Sequence, residues 1–217
     1  MTYLDNAATS FPKPEAVYAA LDRFARSSLA NPGRSGHRMA QAAEHALADA
    51  RHRLNRFFNG RSPERFVFTL NATDALNMAV KGVLKDGDHV ITSDLEHNSV
   101  SRPLVALAEA GRITLTRVAA DGGGTLDPDA VKAAFTPKTR LVALTHASNV
   151  LGTVQPVGEI GKLVRERDAL FLVDAAQTAG VVPIDVQALC IDLLAVPGHK
   201  SLMGPTGTGA LYAGPRS

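Results

Sequence analysis

Residues 191–213 read IDLLAVPGHKSLMGPTGTGALYA, and this segment decides the fold. Its apolar run Leu193 to Val196 ends at a tight Gly-His-Lys turn, and a second short run, Ala210 to Tyr212, follows a glycine-rich stretch. Short continuous apolar runs bounded by turn residues are typical of strands that are buried on both faces. The sequence therefore places a lysine, Lys200, directly after a predicted buried strand.

Five further runs of the same kind precede this segment: Phe66 to Thr69, His89 to Thr92, Thr114 to Val118, Leu141 to Thr145 and Leu170 to Val173. Segments with helical spacing lie between most of these runs: Ala75 to Leu84, Ser99 to Ala110, Asp129 to Phe135 and Val157 to Arg167. Alternation of strand and helix is typical of βαβ units. The sequence therefore predicts an α/β fold, a three-layer sandwich with a mainly parallel central sheet.

The region before the first strand is predicted to contain two helices. Glu15 to Ser28 forms a short one, and Ser35 to Phe58 forms a long one with Gly60 available to end it. We expect residues 1–14 to form an N-terminal segment and residues 15–217 to form one large domain.

Composition narrows the class of partner. The 217 residues include 23 basic and 21 acidic side chains, which gives a net charge of +2 without a basic cluster, so we expect a small-molecule partner rather than nucleic acid. The single cysteine, Cys190, excludes an internal disulfide framework. The N-terminus lacks a signal-peptide pattern and no apolar run approaches the roughly 18 residues of a membrane span, so we expect a cytoplasmic protein without membrane contact.

Polar residues follow the predicted strands at the edge where open parallel sheets bind ligands. The candidates are Ala72, Thr73, His97, Asn149, Asp174, Gln177, His199 and Lys200. Four of them have a structural alternative when taken singly: Thr73 and Asp174 can cap helices, His97 can be a surface or hydrogen-bonded structural residue, and Lys200 can be solvated. Together they provide a carboxylate, a lysine, a phosphate cradle at a helix N-terminus and a flat side chain.

That combination predicts pyridoxal 5′-phosphate (PLP), which needs a lysine for its Schiff base, an acid for its ring nitrogen and an anchor for its phosphate. The end of a Walker A loop is excluded because Lys200 is preceded by His199 and no glycine lies five residues before Gly198. A dinucleotide loop at residues 204–209 is disfavoured because it contains Pro205 and leads into a strand. No metal site is predicted.

The sequence also resembles the PLP-dependent cysteine desulfurase family, part of the class V aminotransferase group. The resemblance lies in seven stretches, which in chain order are YLDNAATS (3–10), ANPGRSGH (30–37), NATDALN (71–77), GDHVITSDLEHNSV (87–100), THASNVLGT (145–153), LFLVDAAQTAG (170–180) and IDLLAVPGHKSLMGPTGTGALY (191–212). It implies that residues 15–217 are a PLP-binding large domain of the fold type I transferases, truncated relative to the family.

The resemblance implies three catalytic residues: Lys200 forms the Schiff base and later acts as base, Asp174 pairs with the pyridine nitrogen, and His97 stacks on the ring. The other implied cofactor contacts are Gln177 with the phenolic oxygen, Asn149 with cofactor and substrate, Thr73 and His199 with the phosphate, and Ala72 beside them.

The activity implied is removal of sulfur from L-cysteine, which gives alanine and an enzyme-bound persulfide. The alternatives are another class V aminotransferase, lyase or selenocysteine lyase activity, or a catalytically incomplete PLP-binding fragment. The family's nucleophilic cysteine and substrate-carboxylate arginine lie in a C-terminal small domain that would follow residue 217, and Cys190 is expected to be a buried, unreactive thiol. Pro197 stands where many members carry a phosphate-binding serine. A homodimer and a sulfur-acceptor protein are implied partners.

Overall fold

The computed structural model describes residues 2–33 and 36–217, and in these ranges helices and strands alternate along the chain. The elements are α1 (Glu15–Ser27), α2 (Arg38–Phe57), a 3-10 turn (Pro63–Arg65), β1 (Phe66–Thr69), α3 (Ala72–Val83), β2 (His89–Ser93), α4 (Asn98–Glu109), β3 (Thr114–Val118), α5 (Pro128–Ala133), β4 (Thr139–Thr145), α6 (Val157–Glu166), β5 (Leu170–Asp174), β6 (Leu193–Pro197) and β7 (Gly209–Ala213). Every predicted strand and helix is present, with ends that differ by a few residues at most.

The strands form one sheet in the order β1-β7-β6-β5-β4-β2-β3. Strand β7 runs antiparallel to both of its neighbours, β1 and β6, and the other pairs are parallel. The predicted mainly parallel sheet is confirmed. Because β1, β2, β4, β5 and β6 all point the same way, their carboxyl ends emerge at one edge, which we call the carboxyl edge.

Alternate residues of β5 show how the three layers are built. Leu170 and Leu172 pack into an apolar cluster with α3 and α4, whereas Phe171 and Val173 pack into a second cluster with α5 and α6. All four side chains are almost fully buried, and burying a side chain of this size stabilises the fold by roughly 1.5–3 kcal/mol. Helices therefore cover both faces of the sheet, as the unbroken apolar runs predicted.

The end of α2 differs in detail from the prediction. Asn59, not Gly60, adopts the left-handed conformation with φ 51°, and the Gly60 N–H donates to the Asn55 carbonyl at 2.8 Å. Gly60 is required for space, because a Cβ there would lie 2.9 Å from the Phe66 ring. The predicted helix start at Ser35 lies outside the described residues, and α2 begins at Arg38 with His37 as its N-cap.

The N-terminal region lies apart from this core. Residues 3–11 form no regular element, and α1 has no buried residue. Residues 9–13 nevertheless hydrogen-bond to the turn that follows β6. The boundary at residue 14 stays a prediction. Within residues 2–33 and 36–217, no helix combines the length and apolarity that crossing a membrane requires.

Candidate active site

One cavity opens at the carboxyl edge of the sheet, between the segments that follow β1, β2, β4, β5 and β6. All eight predicted site residues line it: Ala72, Thr73, His97, Asn149, Asp174, Gln177, His199 and Lys200. Residues more than 120 positions apart in the sequence thus meet because parallel strands deliver their carboxyl ends to one place.

Asp174 and Lys200 provide the charged groups of this cavity. Asp174 ends β5 and is 3% exposed, and its Oδ1 accepts a hydrogen bond from the Ala176 N–H at 2.9 Å. Its Oδ2 accepts none from the described residues. Lys200 follows β6 and is partly buried. The two side chains do not form an ion pair within 4 Å. The carboxylate and the amine therefore both face the cavity, and no contact between them fills the space that a ligand would occupy.

Burial changes the proton affinity of both groups. It raises the pKa of the Asp174 carboxyl, and the Ala176 N–H and the charges of His97 and Lys200 offset part of that effect. It lowers the pKa of the Lys200 amine against the opposing pull of Asp174. Lys200 is thereby moved toward the neutral amine, the nucleophilic form. Asp174 is a buried carboxylate that a cationic ligand would stabilise.

The N-terminus of α3 forms a site for an anion at one side of the cavity. Asn71 is the N-cap, and its Oδ1 accepts the Asp74 N–H at 2.8 Å. The N–H groups of Ala72 and Thr73 donate to no acceptor among the described residues. Free N–H groups at a helix start carry partial positive charge and bind phosphate oxygens well. Pro197 also lines the cavity and has no hydroxyl to add.

A chain of hydrogen bonds fixes the His97 ring beside this anion site. The His97 Nδ1 accepts the Ser99 N–H at 3.1 Å and lies 2.8 Å from the Ser99 Oγ. The Ser99 Oγ in turn lies 2.7 Å from the Thr73 Oγ1. His97 therefore caps α4, a role that was not predicted, and its ring still borders the cavity. Capping uses a ring nitrogen and leaves the ring faces available for stacking.

His199 is held in one tautomer by Thr9. The Thr9 Oγ1 donates to the His199 carbonyl at 3.0 Å and lies 3.1 Å from the His199 Nδ1. Because that hydroxyl proton is used on the carbonyl, Nδ1 carries the ring proton and donates it to Thr9. Burial, followed by the charges of Lys200 and Lys13, lowers the pKa of His199. A phosphate oxygen near Nε2 would oppose that shift, because it favours the protonated ring.

Asn149 and Gln177 complete the predicted set. Asn149 is exposed on the tight connection after β4, where the Ser148 N–H donates to the Thr153 carbonyl at 3.1 Å and closes the loop. The Gln177 Nε2 donates to the Ala7 carbonyl at 3.1 Å. Since an amide nitrogen carries two protons, Gln177 keeps one donor for an oxygen in the cavity.

Sequence reasoning missed Glu96, which lies next to His97 and behind the cavity. Its Oε1 accepts the Ser93 hydroxyl at 2.7 Å and the Thr145 N–H at 3.0 Å, whereas its Oε2 is buried with no partner among the described residues. Burial raises the pKa of Glu96 to about 8, against the two hydrogen bonds, and the charge of Asp174 adds to the rise. Glu96 is therefore protonated at neutral pH. Its position in the short segment between β2 and α4 was the available signal.

Cys190 lies away from the cavity. It precedes β6, whereas Lys200 follows β6, so the thiol belongs to the opposite edge of the sheet. It is partly buried and adopts a left-handed backbone with φ 56°. Nothing brings this thiol near Lys200.

Comparisons with known proteins give a consistent picture. The family model described as Aminotransferase class-V matches residues 2–216. A probable cysteine desulfurase from Methanothermobacter thermautotrophicus is 42% identical over 211 residues, which are 97% of this chain and 52% of that protein. The solved structure described as the apo structure of cysteine desulfurase from Thermococcus onnurineus NA1 superimposes with a TM-score of 0.91 at 36% identity, covering 98% of this chain and 53% of that one.

A second solved structure, described as SspA in complex with cysteine, gives a TM-score of 0.92 at 34% identity and covers 98% of this chain and 61% of that chain. The chain thus spans about half the length of the curated relatives it matches. These likenesses confirm the α/β fold class and the predicted family resemblance.

Proposed function

Because the chain belongs to the aminotransferase class-V family, we propose that it binds PLP in the carboxyl-edge cavity and forms the cofactor-binding part of a cysteine desulfurase. The observation that carries this proposal is the meeting of the buried Asp174 carboxyl and the Lys200 amine in one cavity, without an ion pair between them. The unused Oδ2 of Asp174 and the unused N–H groups at the start of α3 fit a molecule with a cationic ring at one end and a phosphate at the other.

When bound, PLP supplies an aldehyde for covalent attachment to an amine and a protonated ring that withdraws electrons from an attached amino acid. Asp174 would hold the proton at the ring nitrogen, because deprotonating that nitrogen would neutralise it and leave the carboxylate buried without a cationic partner. The Lys200 amine attaches the cofactor and, once released, takes the Cα proton of the substrate. Its lowered pKa favours both tasks.

The remaining residues orient the cofactor. The N–H groups of Ala72 and Thr73, with the His199 Nε2 in its protonated form, hold the phosphate. The free proton of the Gln177 amide donates to the phenolic oxygen. His97 presents one ring face to the cofactor, and the Ser99 bonds keep that face in place. Asn149 lies on the exposed side, where substrate enters.

L-Cysteine is the proposed substrate, with alanine as product and the sulfur passed to a thiolate. Support comes from relatives named as cysteine desulfurases and from the solved neighbour whose description includes cysteine. Cys190 is not proposed as the receiving thiolate, because it lies at the opposite edge of the sheet. A homodimer that transfers sulfur to an acceptor protein belongs to the same proposal.

Visible spectroscopy tests the cofactor site directly. PLP is added to the purified chain, to Lys200→Ala and to a control, Lys162→Ala, whose lysine is exposed on α6. We expect a visible band that borohydride removes in the wild type and the control, and no such band in Lys200→Ala. Peptide mass analysis after reduction should find the added mass on the peptide that contains Lys200. A folded wild type without the band would contradict the proposal.

L-Cysteine is then added to the loaded protein together with an excess of a small thiol to accept sulfur. The cysteine desulfurase proposal expects alanine and sulfide in equal amounts, and Asp174→Asn should produce neither at a comparable rate. Pyruvate or an exchanged amino group in place of alanine would favour another class V reaction.

A further inference from the structure

The carbonyl oxygen of His199 receives all of its hydrogen bonds from the N-terminal segment. Three donors reach it: the Thr9 Oγ1 at 3.0 Å, the Ser10 N–H at 3.2 Å and the Lys13 Nζ at 2.8 Å. The Ser10 Oγ lies 3.1 Å away. This carbonyl belongs to the peptide that joins His199 to Lys200. Residues from the beginning of the chain thus hold the backbone that carries the candidate Schiff-base lysine.

The neighbouring carbonyls of the same turn are bonded within the turn. The Gly198 carbonyl accepts the Gly204 N–H at 2.7 Å, and the Lys200 carbonyl accepts the Met203 N–H at 2.8 Å. The Ser10 hydroxyl has one proton and donates it to the Lys200 carbonyl, the nearer of the two at 2.8 Å. The His199 carbonyl alone among these three has no bond from its own turn in the described structure, so its direction depends on residues 9–13.

Lys13 is the strongest of the three donors to the His199 carbonyl. Its ammonium group is fully engaged, with the Ser10 carbonyl at 3.0 Å, the Ser10 Oγ at 2.9 Å and the His199 carbonyl at 2.8 Å. A carbonyl oxygen has two lone pairs, and a charged donor forms the shortest and strongest bond to it. Lys13 is partly buried and does not line the cavity. It therefore acts on the turn and not on a ligand.

We propose that Lys13, together with Ser10, is a positioning residue for Lys200: it fixes the plane of the His199–Lys200 peptide and so the direction in which the Lys200 side chain enters the cavity. The inference rests on the proposed function, since it assigns Lys200 the covalent role. A rotation of that peptide would displace the amine at the end of a four-methylene side chain, and attack on a carbonyl requires close alignment. The contact between Lys13 and the His199 carbonyl spans 186 positions of sequence, so residues near the start of the chain support the turn that carries Lys200.

The first test needs no cofactor. Hydrogen exchange of the backbone amides in residues 198–204 is measured by mass spectrometry for the wild type, Lys13→Met, Lys13→Arg and Lys132→Met. Lys13→Met keeps the apolar stem and removes the charge, Lys13→Arg restores a charged donor, and Lys132→Met makes the same change of charge at an exposed site on α5. We expect exchange about tenfold faster in Lys13→Met, at least partial restoration in Lys13→Arg and no change in Lys132→Met. Unchanged exchange in Lys13→Met would overturn the inference.

The second test separates positioning from general stability. PLP and pyridoxine 5′-phosphate, which has an alcohol where PLP has its aldehyde, are titrated into each variant. Only PLP can join Lys200, by addition of the amine to the aldehyde carbon with loss of water. Lys13→Met should bind PLP about tenfold more weakly and pyridoxine 5′-phosphate unchanged, and Lys13→Arg should recover PLP binding. Equal losses for both ligands with a lower melting temperature would overturn the inference in favour of a merely structural lysine.

The proposed function fails separately, if the wild type binds neither compound. The exchange measurement then still decides whether Lys13 fixes the turn.

Discussion

Glu96→Gln should change how the stability of the protein depends on pH. The wild-type carboxyl keeps its two hydrogen bonds at Oε1 and carries its proton on the buried, unpartnered Oε2. Burial raises its pKa from 4.5 to about 8. Between pH 4.5 and pH 8 the folded chain binds a proton at Glu96 that the unfolded chain has lost. The contribution of Glu96 to the free energy of unfolding is therefore complete below about pH 4.5 and is lost as pH rises toward 8. Glutamine keeps the shape and has no proton to lose.

The magnitude follows from the number of protons involved. One proton of difference changes the free energy of unfolding by about 1.36 kcal/mol per pH unit, so the full effect between pH 5 and pH 7.5 is about 3 kcal/mol. Glu96 as a residue is only partly buried, and solvent screens part of the desolvation. We therefore expect the wild type to lose about 2 kcal/mol relative to Glu96→Gln over this range. Asp174, whose pKa is also raised, is common to both proteins and largely cancels in the difference.

Urea unfolding at half-unit steps from pH 5 to pH 8 measures this difference. The control is Glu109→Gln, at an exposed site at the end of α4, which should follow the wild type at every pH. A Glu96→Gln curve parallel to the wild-type curve would refute the reasoning, because it would mean that Glu96 ionises normally in the folded chain.

Two further substitutions test the geometry around the cavity, and a third, Gly82→Ala, is a control for the first. Gly198→Ala should lower the free energy of unfolding by about 2 kcal/mol or more, because its Cβ would overlap the Thr208 Oγ1. Gly82→Ala, in open space on α3, should raise the free energy of unfolding by about 0.5–1 kcal/mol. Equal urea midpoints for the two variants would contradict the expected difference. Ser99→Ala removes the hydroxyl beside His97 and should weaken PLP binding severalfold at an unchanged melting temperature, whereas an unchanged affinity in a fluorescence titration would show that the ring needs no such support.

The fold could be predicted well because its signal is local. The central strands β5 and β6 are almost unbroken apolar runs, and such runs occur where helices cover both faces. The order of the strands and the antiparallel direction of β7 were not predicted, because pairing joins residues that are distant in the sequence. Tyr212 of β7 pairs with Phe66 of β1, and no periodicity in either segment carries that information. The left-handed residue after α2 was expected at Gly60 and lies at Asn59, because asparagine, like glycine, can adopt positive φ.

The candidate site was predictable to the extent that it follows from topology. Residues directly after parallel strands must meet at one edge, and the resemblance to a known family added their roles. Lys13, Ser99 and Glu96 escaped notice because their positions matter only through side-chain bonds to distant residues: the Lys13 bond spans 186 positions, and the Glu96 bond to Thr145 spans 49. Such partners are known only once the chain is folded.

The charges of the cavity explain why it favours a ligand with a cationic ring. Glu96 is neutral at pH 7, which leaves Asp174 as the carboxyl that faces a ligand, and burial raises the pKa of Asp174 against the opposing effects of Ala176, His97 and Lys200. Lys200 loses its own charge more readily because it is buried, and its attachment to PLP would remove that ammonium from the site. A protonated ring nitrogen would then replace the lost charge beside Asp174. Ligand binding would thus relieve a destabilising feature of the free protein, and PLP should raise its melting temperature more than inorganic phosphate, which reaches only the start of α3.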